Sequence, residues 1–511
     1  FPHENFFYRI ITAMRKFVVI LLPTVVFAQE SEEIYREEQP TRVQVSSEVF
    51  GATTLIGTPI NDLSGLSAQA TGDLLNILRA RAGVYVSFAN KFTLAIAGIY
   101  VGEAASEVSR LPIGLSEAYV QLDTFVLPIG GLGELRMGRQ IINYGMGLAF
   151  GDYHGFGTNA IRFAYRFSPA WDWYLHILYA KSNEGGARQV EYFWYPFAYY
   201  NELTNEQAFK WIYTKYDLET WALILGKSRG DRGIYDFFVY GAAMTEDRGL
   251  GGGFNPYWVG GYINIGPIGN FFMDGELGYM TGTWGSKQEV CYDFCDQIYN
   301  ITGGERQQIN AYAIAIRASY DFTDQITGGL SFFTFSGDNP NTRGMYESWL
   351  SPLPKSGISA YSPWTHWTGM GEVFIWNYRP DNWRSIYFFN PTNFVVANLN
   401  FIYKAFPIQQ SLVIRADGFA FAEAASPSGV DSYLGSEFDL ALKFSYADIA
   451  DVGITFGYFV PSTRFQNTGW SRPSRLDLVQ EGLVPADYQV LKITGNSYVV
   501  RLWIYRSINF F

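Results

Sequence analysis

The sequence predicts an all-β protein, a transmembrane antiparallel β-barrel of eighteen strands with long external loops. Three observations predict it: strands with one polar and one apolar face, a high aromatic content, and connections that alternate between short and long. In Gly435–Tyr446, the odd positions include Glu437, Asp439 and Lys443, whereas the even positions from Phe438 to Tyr446 are all apolar or aromatic. Successive side chains of a strand point to opposite faces. A membrane barrel turns the apolar face to lipid and the polar face inward.

The same alternation recurs along the chain, for example in Ile161–Ser168 and Asn310–Tyr320. Aromatic residues make up 18% of the sequence, which fits the aromatic girdles at the two interfaces of a membrane barrel. A soluble β-sandwich is the alternative. A single soluble β-domain of this length would exceed the roughly 250–300 residues at which one hydrophobic core stops growing. The barrel is therefore the favoured fold.

The order of the connections fixes the expected number of strands. Short connections such as Ser168–Ala170 alternate with long ones such as residues 181–208, as expected for short periplasmic turns and long external loops. The pattern gives nineteen strand candidates, one more than the even number that an outer-membrane barrel of this kind requires. Trp211–Asp217 and Thr220–Lys227 lack Gly, Pro or Asn at their join, so merging them gives eighteen.

Four segments divide the chain. Residues 1–13 are expected to precede the true start, and residues 14–28 have the basic, apolar and small-residue regions of a signal peptide. The apolar stretch Phe17–Phe27 is too short to span a bilayer, and Pro23 interrupts it. Residues 29–40 form an acidic N-terminal segment, and residues 41–511 form the barrel in the outer membrane of a Gram-negative bacterium, embedded in its lipid.

Composition excludes several other classes of protein. The net charge of −11 and the pI of about 5.0 argue against a nucleic-acid partner. Gly249–Phe254 lacks the Lys and Ser/Thr that complete a phosphate-binding loop, so no cofactor is predicted. Cys291 and Cys295 are a possible disulfide in an exported protein. No His or second Cys pair lies near them, so no metal site is predicted.

Several motifs resemble the alginate-export family of outer-membrane barrels. Leu135–Gly147 resembles its "GRQ…YG" signature, Ser336–Pro340 its "SGD-x-P" segment, and Tyr433–Leu440 its "LG-x-E-x-D" strand. Leu78–Phe88 and Ser116–Gln121 match further strands in the same order. The resemblance implies eighteen strands and an Arg-lined pore for an anionic oligo- or polysaccharide such as alginate. The terminal aromatic strand, ending in Phe511, looks like the tag that barrel-assembly machinery recognises.

The inward faces of the predicted strands carry the candidate residues of a solute path. The acids expected there are Glu117, Asp123, Asp274, Glu276, Asp417, Glu437 and Asp439. The predicted pore-lining cations are Arg79, Arg81, Arg136, Arg139, Arg162, Arg166, Arg317, Arg415, Lys443 and Arg501. Arg139 has inward parity only if Gly138 carries a bulge. A basic excess on these faces would select anions; the alternative is that the charges pair across strands and fill a wet interior.

Other functions stay open. Residues 338–393 hold five tryptophans, which predicts a lid in the barrel mouth, a sugar-stacking surface or a packed external cap. A general or uptake porin for small solutes is the alternative transporter. A barrel hydrolase is the alternative from another class, with His176 near Asp172 and Tyr174 as its best acid–base group, but no catalytic residue is predicted. We expect a monomer.

Overall fold

The computed structural model describes the strands and part of their connections. The described residues are 41–57, 60–61, 73–88, 91–105, 108–110, 113–127, 130–152, 157–167, 172–183, 218–228, 234–246, 254–284, 307–337, 342, 345–347, 349–353, 371–372, 393–405, 410–426, 431–446, 450–463, 492–493 and 495–510. Residues 1–40, the first of the two merged strand segments (Trp211–Asp217), Cys291 and Cys295 lie outside them.

Most of the described residues belong to β segments. In chain order the segments are β1 Arg42–Gly57, β2 Ile60–Asn61, β3 Asp73–Phe88, β4 Phe92–Ala105, β5 Val108–Arg110, β6 Ile113–Val126, β7 Leu132–Gln140, β8 Thr158–Arg166, β9 Trp173–Asn183, β10 Leu218–Lys227, β11 Tyr235–Glu246, β12 Phe254–Ile268, β13 Phe271–Trp284, β14 Gln307–Asp321, β15 Ile326–Phe335, β16 Met345–Tyr346, β17 Phe394–Ala405, β18 Gln410–Ala422, β19 Tyr433–Tyr446, β20 Ala450–Pro461, β21 Lys492–Ile493 and β22 Ser497–Phe510.

Eighteen of these segments close into one antiparallel barrel, as the sequence predicts. Each long strand pairs with its neighbours in the chain, and β1 pairs with β22 in the register Val45↔Phe510 to Gly57↔Tyr498, which closes the ring. The four short segments lie in connections: β5 pairs antiparallel with the end of β4, β16 pairs with β14, and β2 pairs with β21. Both barrel ends, Arg42 and Phe510, lie at the rim that carries the short turns.

The outer surface is apolar across the middle and aromatic towards both rims. Leu399 keeps 70% of its side-chain area exposed near the middle of β17, an arrangement that is stable only against lipid. Exposed aromatic side chains near the loop rim are Tyr279, Tyr312, Tyr458 and Tyr498, and those near the turn rim are Tyr320, Phe444 and Tyr446. None of the described residues belongs to a helix of the length and apolarity needed to cross a membrane.

Two main groups of side chains cover the inner surface, beside a buried charged set that includes Arg501, Glu437 and Asp439. Towards the loop rim, buried apolar side chains form what we call the apolar layer; it includes Leu178, Tyr240, Trp258, Ala313, Phe333, Phe421, Phe459 and Val499. Towards the turn rim, ionisable side chains form what we call the charged belt. Its members include Glu48, Arg81, Glu134, Arg136, Arg162, Asp274, Arg317, Arg415, Asp417, Lys443 and Asp451.

Two connections fold into the barrel and complete the apolar layer. Residues 141–152, between β7 and β8, bury Ile142, Met146, Leu148 and Phe150 in the same cluster as the inner wall. Residues 345–353, after β15, bury Trp349, Leu350 and Leu353 there as well. The lumen therefore contains backbone that is neither strand nor external loop.

Candidate functional site in the lumen

The first infolded segment, residues 141–152, is fastened to the opposite wall by one carboxylate. Glu276, on the inner face of β13, accepts the backbone N–H of Met146 at 2.7 Å and that of Ala149 at 3.3 Å. The amides of Gly147 and Leu148 are directed at the same carboxylate. Glu276 is only 3% exposed, so backbone amides take the place of water around its charge.

The second infolded segment, residues 345–353, is fastened by side chains of the wall and by the first segment. Trp258 donates its indole N–H to the carbonyl of Leu350 at 2.7 Å, and Thr220 donates to the carbonyl of Pro352 at 2.8 Å. The Ser351 hydroxyl donates to the carbonyl of Ala149 at 2.7 Å. The two segments therefore hold each other, and Trp349 of the Trp-rich connection lies inside the barrel.

A third inward contact involves Gly371 and Glu372 of the same connection. The Glu372 carboxylate lies 2.6 Å from the Arg501 guanidinium of β22, and both side chains are fully buried. The backbone N–H of Glu372 donates to Asp439 of β19 at 2.9 Å. Burying such an ion pair costs desolvation energy. Removing one partner alone strongly lowers stability, because it leaves the other charge buried and unpaired. The other tryptophans of this connection, Trp364, Trp367, Trp376 and Trp383, lie outside the described residues.

The charged belt has a local basic patch on β7 and β8. Arg136 and Arg162 lie directly opposite each other across the strand pair, and both pair with the Glu134 carboxylate. Arg136 also stacks over the Tyr119 ring, 4.4 Å from its centroid. Two guanidinium groups that share one carboxylate leave one positive charge uncompensated. Arg166, near the turn end of the same inner face, is exposed and adds to it.

The other predicted cations pair more evenly with carboxylates. Arg81 pairs with Glu48, Arg317 with Asp274, Arg415 with Asp417 and Lys443 with Asp451. Arg317 and Asp274 face each other across β13 and β14. Arg79 and Arg501 are buried on the inner face, and Glu117 accepts a hydrogen bond from Tyr85. Glu437 is buried beside Asp439. These residues lie where the alternation predicts them, and their role in solute transport stays a prediction.

Two predictions about the charges are wrong. The pairing of β7 with β6 and β8 is regular through Gly138, so Arg139 shares the outward parity of Ala118 and donates to the Leu115 carbonyl. Gly138 is needed for a close approach to the Ala118 backbone at positive φ and carries no bulge. The general basic excess is also wrong for the described residues. Beyond the predicted acids, their inward faces carry Glu48, Glu134, Asp236 and Asp451, and the carboxylates on these faces are no fewer than the cations.

His176, the best candidate of the hydrolase alternative, is used to hold the first infolded segment. Its Nδ1 lies 2.8 Å from the Tyr144 hydroxyl, and its ring packs against Tyr144 and Tyr174. Burial raises the pKa of Tyr144 to about 12, so its hydroxyl keeps a proton that it can donate to His176. The Arg162 guanidinium lies close enough to the same hydroxyl to interact with it, which links the segment to the basic patch. His154 and His366 lie outside the described residues.

The chain is similar to known proteins in structure but not in sequence. No family model matches the chain, so the resemblance to alginate-export proteins has no support at family level. No curated protein sequence matches it either. Similar solved structures are Acinetobacter baumannii OccAB1 (9% identity, 94% of this chain, 100% of that one, TM-score 0.49), Pseudomonas aeruginosa OccK5, also called OpdH (10%, 92%, 98%, 0.46), and the outer membrane protein OprD from Pseudomonas aeruginosa (8%, 93%, 96%, 0.46).

The closed ring of even strand number, the lipid-compatible outer surface and the aromatic girdles together define the class. The protein is a Gram-negative outer-membrane β-barrel. Its candidate site is the lumen, which combines a packed apolar layer with a charged belt.

Proposed function

We propose that this barrel is a channel for small polar solutes, with a preference for anions that comes from the basic patch Arg136–Arg162–Arg166. One observation carries the proposal: inner charges of the belt remain in contact with water. Arg317 keeps 41% of its side chain exposed although it points into the barrel. A barrel sealed as a structural element has no need of hydrated charges on its inner wall, whereas an aqueous path does.

The two infolded segments narrow the lumen, which favours small solutes over polymers as the transported molecules. They bring Trp349, Phe150 and their neighbours into the cross-section that an eighteen-stranded wall alone would leave as a wide aqueous channel. A solute must pass beside these segments before or after it meets the belt. This favours the porin alternative over the export of a polysaccharide.

The anion preference is local because most inner charges are paired. A paired Arg and carboxylate nearly cancel at a distance, so only uncompensated charge steers ions. The basic patch is where two arginines share one carboxylate. An acidic polysaccharide, which the sequence motifs suggest, would use the same patch and is the second candidate.

The test is the reversal potential of the purified protein in planar bilayers under a salt gradient. We expect stable conductance with a modest anion preference that weakens at high salt. Added uronate monomers and long uronate oligomers separate the two candidates: block by monomers supports the small-solute channel, and block by long oligomers alone supports the polysaccharide. A bilayer without current, or a clearly cation-selective pore, contradicts the proposal.

A further inference from the structure

We propose that Glu276 is the positioning residue that fixes the infolded segment 141–152 and thereby sets the width of the channel. The inference rests on the proposed function, because it concerns how the pore is held at its working width. It assigns to one carboxylate a role that the charged belt does not have. Belt carboxylates pair with cations, whereas no ion pair joins Glu276 to a cation in the part of the chain that the structure describes.

The segment is a small hairpin whose tip presents backbone N–H groups. The backbone N–H of Tyr144 donates to the Phe150 carbonyl at 2.7 Å, and Asn143 pairs with Gly151 at the base of the hairpin. Gly145 and Gly147 both adopt positive φ, at 57° and 86°. Left-handed residues between ordinary ones turn successive N–H groups to one side, which forms a concave site for an anion. The occupant here is the carboxylate of Glu276.

The position of Glu276 gives this contact its importance. The segment is rooted in β7 and β8, whereas Glu276 lies on β13, five strands further around the ring from β8. The contact therefore joins the tip of the segment to a distant part of the wall. The second infolded segment depends on the same tip, because Ser351 donates to the carbonyl of Ala149. Losing the carboxylate would release the tip of the first segment from β13, while Trp258 and Thr220 still hold the second segment.

The tip lies in close contact with the wall around Glu276. A Cβ atom at Gly145 would lie 2.8 Å from Glu276 Oε2 and 3.0 Å from both Phe238 and Tyr262. The tip therefore approaches the wall so closely that a side chain larger than hydrogen at position 145 would collide with it. Losing even one charge-assisted hydrogen bond changes the equilibrium between docked and undocked segment by roughly tenfold.

The experiment records single-channel currents of Glu276→Ala and Glu276→Gln in the full-length protein. We expect larger mean conductance and more open-channel noise in Glu276→Ala, with a smaller change in Glu276→Gln, whose amide oxygen still accepts. Acetate should partly restore the wild-type trace of Glu276→Ala by filling the amide site, whereas chloride at equal ionic strength should not. The shift from folded to unfolded mobility on gels reports whether the barrel itself stays intact.

Asp274→Asn is the matched control. It removes one carboxylate from the same face of the same strand, two residues away, but from the Arg317 ion pair. It should alter ion selectivity without adding noise. A wild-type trace in Glu276→Ala, or noise in Asp274→Asn equal to that of Glu276→Ala, overturns the inference. Should Glu276→Ala fail to fold, Glu276→Gln decides by the same criteria. Absence of current in the wild type contradicts the proposed function instead.

Discussion

The apolar layer and the charged belt occupy the same inner face of one barrel but are held by different forces. In the layer, Trp258, Trp349 and Phe333 are almost fully buried, and hydrogen bonds join side chains of the wall to the backbone of the infolded segments. In the belt, Arg81 and Arg317 keep part of their side chains in water and pair with single carboxylates. The layer resembles the core of a soluble protein, and the belt resembles a protein surface.

This difference predicts where mutations act. Buried packing is worth several kcal/mol per large side chain, whereas exposed ion pairs contribute about 0–1 kcal/mol. Changes in the layer should therefore alter the shape of the lumen and the size of the conductance. Changes in the belt should leave the shape intact and alter which ions pass. The four predictions below test this division, from the largest expected effect to the smallest.

Trp258→Ala should have the largest effect. Trp258 is fully buried under the second infolded segment and donates its indole N–H to Leu350. Replacing a buried Trp by Ala costs about 3–5 kcal/mol, and here the cost falls on the docking of residues 345–353. We expect a larger conductance and proteolytic cleavage near these residues in a barrel that still resists unfolding in detergent. Limited proteolysis followed by mass spectrometry measures this.

Leu399→Ala is the control for that prediction. Its side chain projects from the outer face of β17 with 70% of its area exposed, so truncation leaves no cavity. Conductance should match the wild type. Equal cleavage of the two variants would show that residues 345–353 are accessible without any loss of packing, which would contradict the assignment of the apolar layer.

Gly145→Ala should follow in size. Gly145 adopts a φ of 57°, which costs a non-glycine residue about 1–2 kcal/mol, and its new methyl group would press against Glu276 and Phe238. We expect a noisier channel with wild-type ion selectivity, measured in the same bilayer assay. Gly418→Ala is the matched control, since a Cβ there meets nothing within 4 Å; an identical noise level in the two variants would contradict the prediction.

The sequence predicts the strands well because lipid and water sort side chains with a period of two. That pattern places Arg162, Arg317 and Arg501 on the inner face without any knowledge of strand register. It also makes the Arg415–Asp417 pair foreseeable, since residues two apart share a face. The number of strands follows from the same pattern together with the alternation of connections.

The infolded segments could not be predicted in this way. Residues 141–152 have no period of two, and the only signal is their run of apolar residues, Met146–Phe150 apart from Gly147, in a connection expected to be external. The role of Glu276 depends on backbone amides far away in the chain, which no residue pattern encodes. The pairing of Arg81 with Glu48 depends on register, so the basic excess inferred from inward parity missed such partners.

Replacing Arg162 and Arg166 together by Gln should change selectivity with little change in conductance. The substitution removes two of the three cations of the basic patch and leaves Glu134 paired with Arg136. We expect a clear fall in anion preference, measured as a shift in reversal potential, and a smaller shift at high salt because exposed charge is screened. Lys227→Gln and Arg506→Gln together are the control: Lys227 packs over Tyr235 on the outer face, and Arg506 is exposed on the outer face of β22, opposite Val49. Unchanged selectivity in the patch variant would remove the basis for anion preference.

The smallest effect is expected at the Arg317–Asp274 pair, where the Arg317 side chain is 41% exposed in the lumen and Asp274 is 14% exposed. Because Arg317 is 41% exposed, either partner can be rehydrated when the other is lost, and the barrel should lose no more than about 1 kcal/mol of stability. Arg317→Gln should shift the reversal potential towards cations and Asp274→Asn towards anions, by similar amounts of opposite sign. The double variant should return to the wild-type value, because the pair is neutral as a whole. A large loss of stability in either single variant would mean that this part of the belt is shielded from water. The packed region of the inner surface would then extend further towards the turn rim than the apolar layer described above.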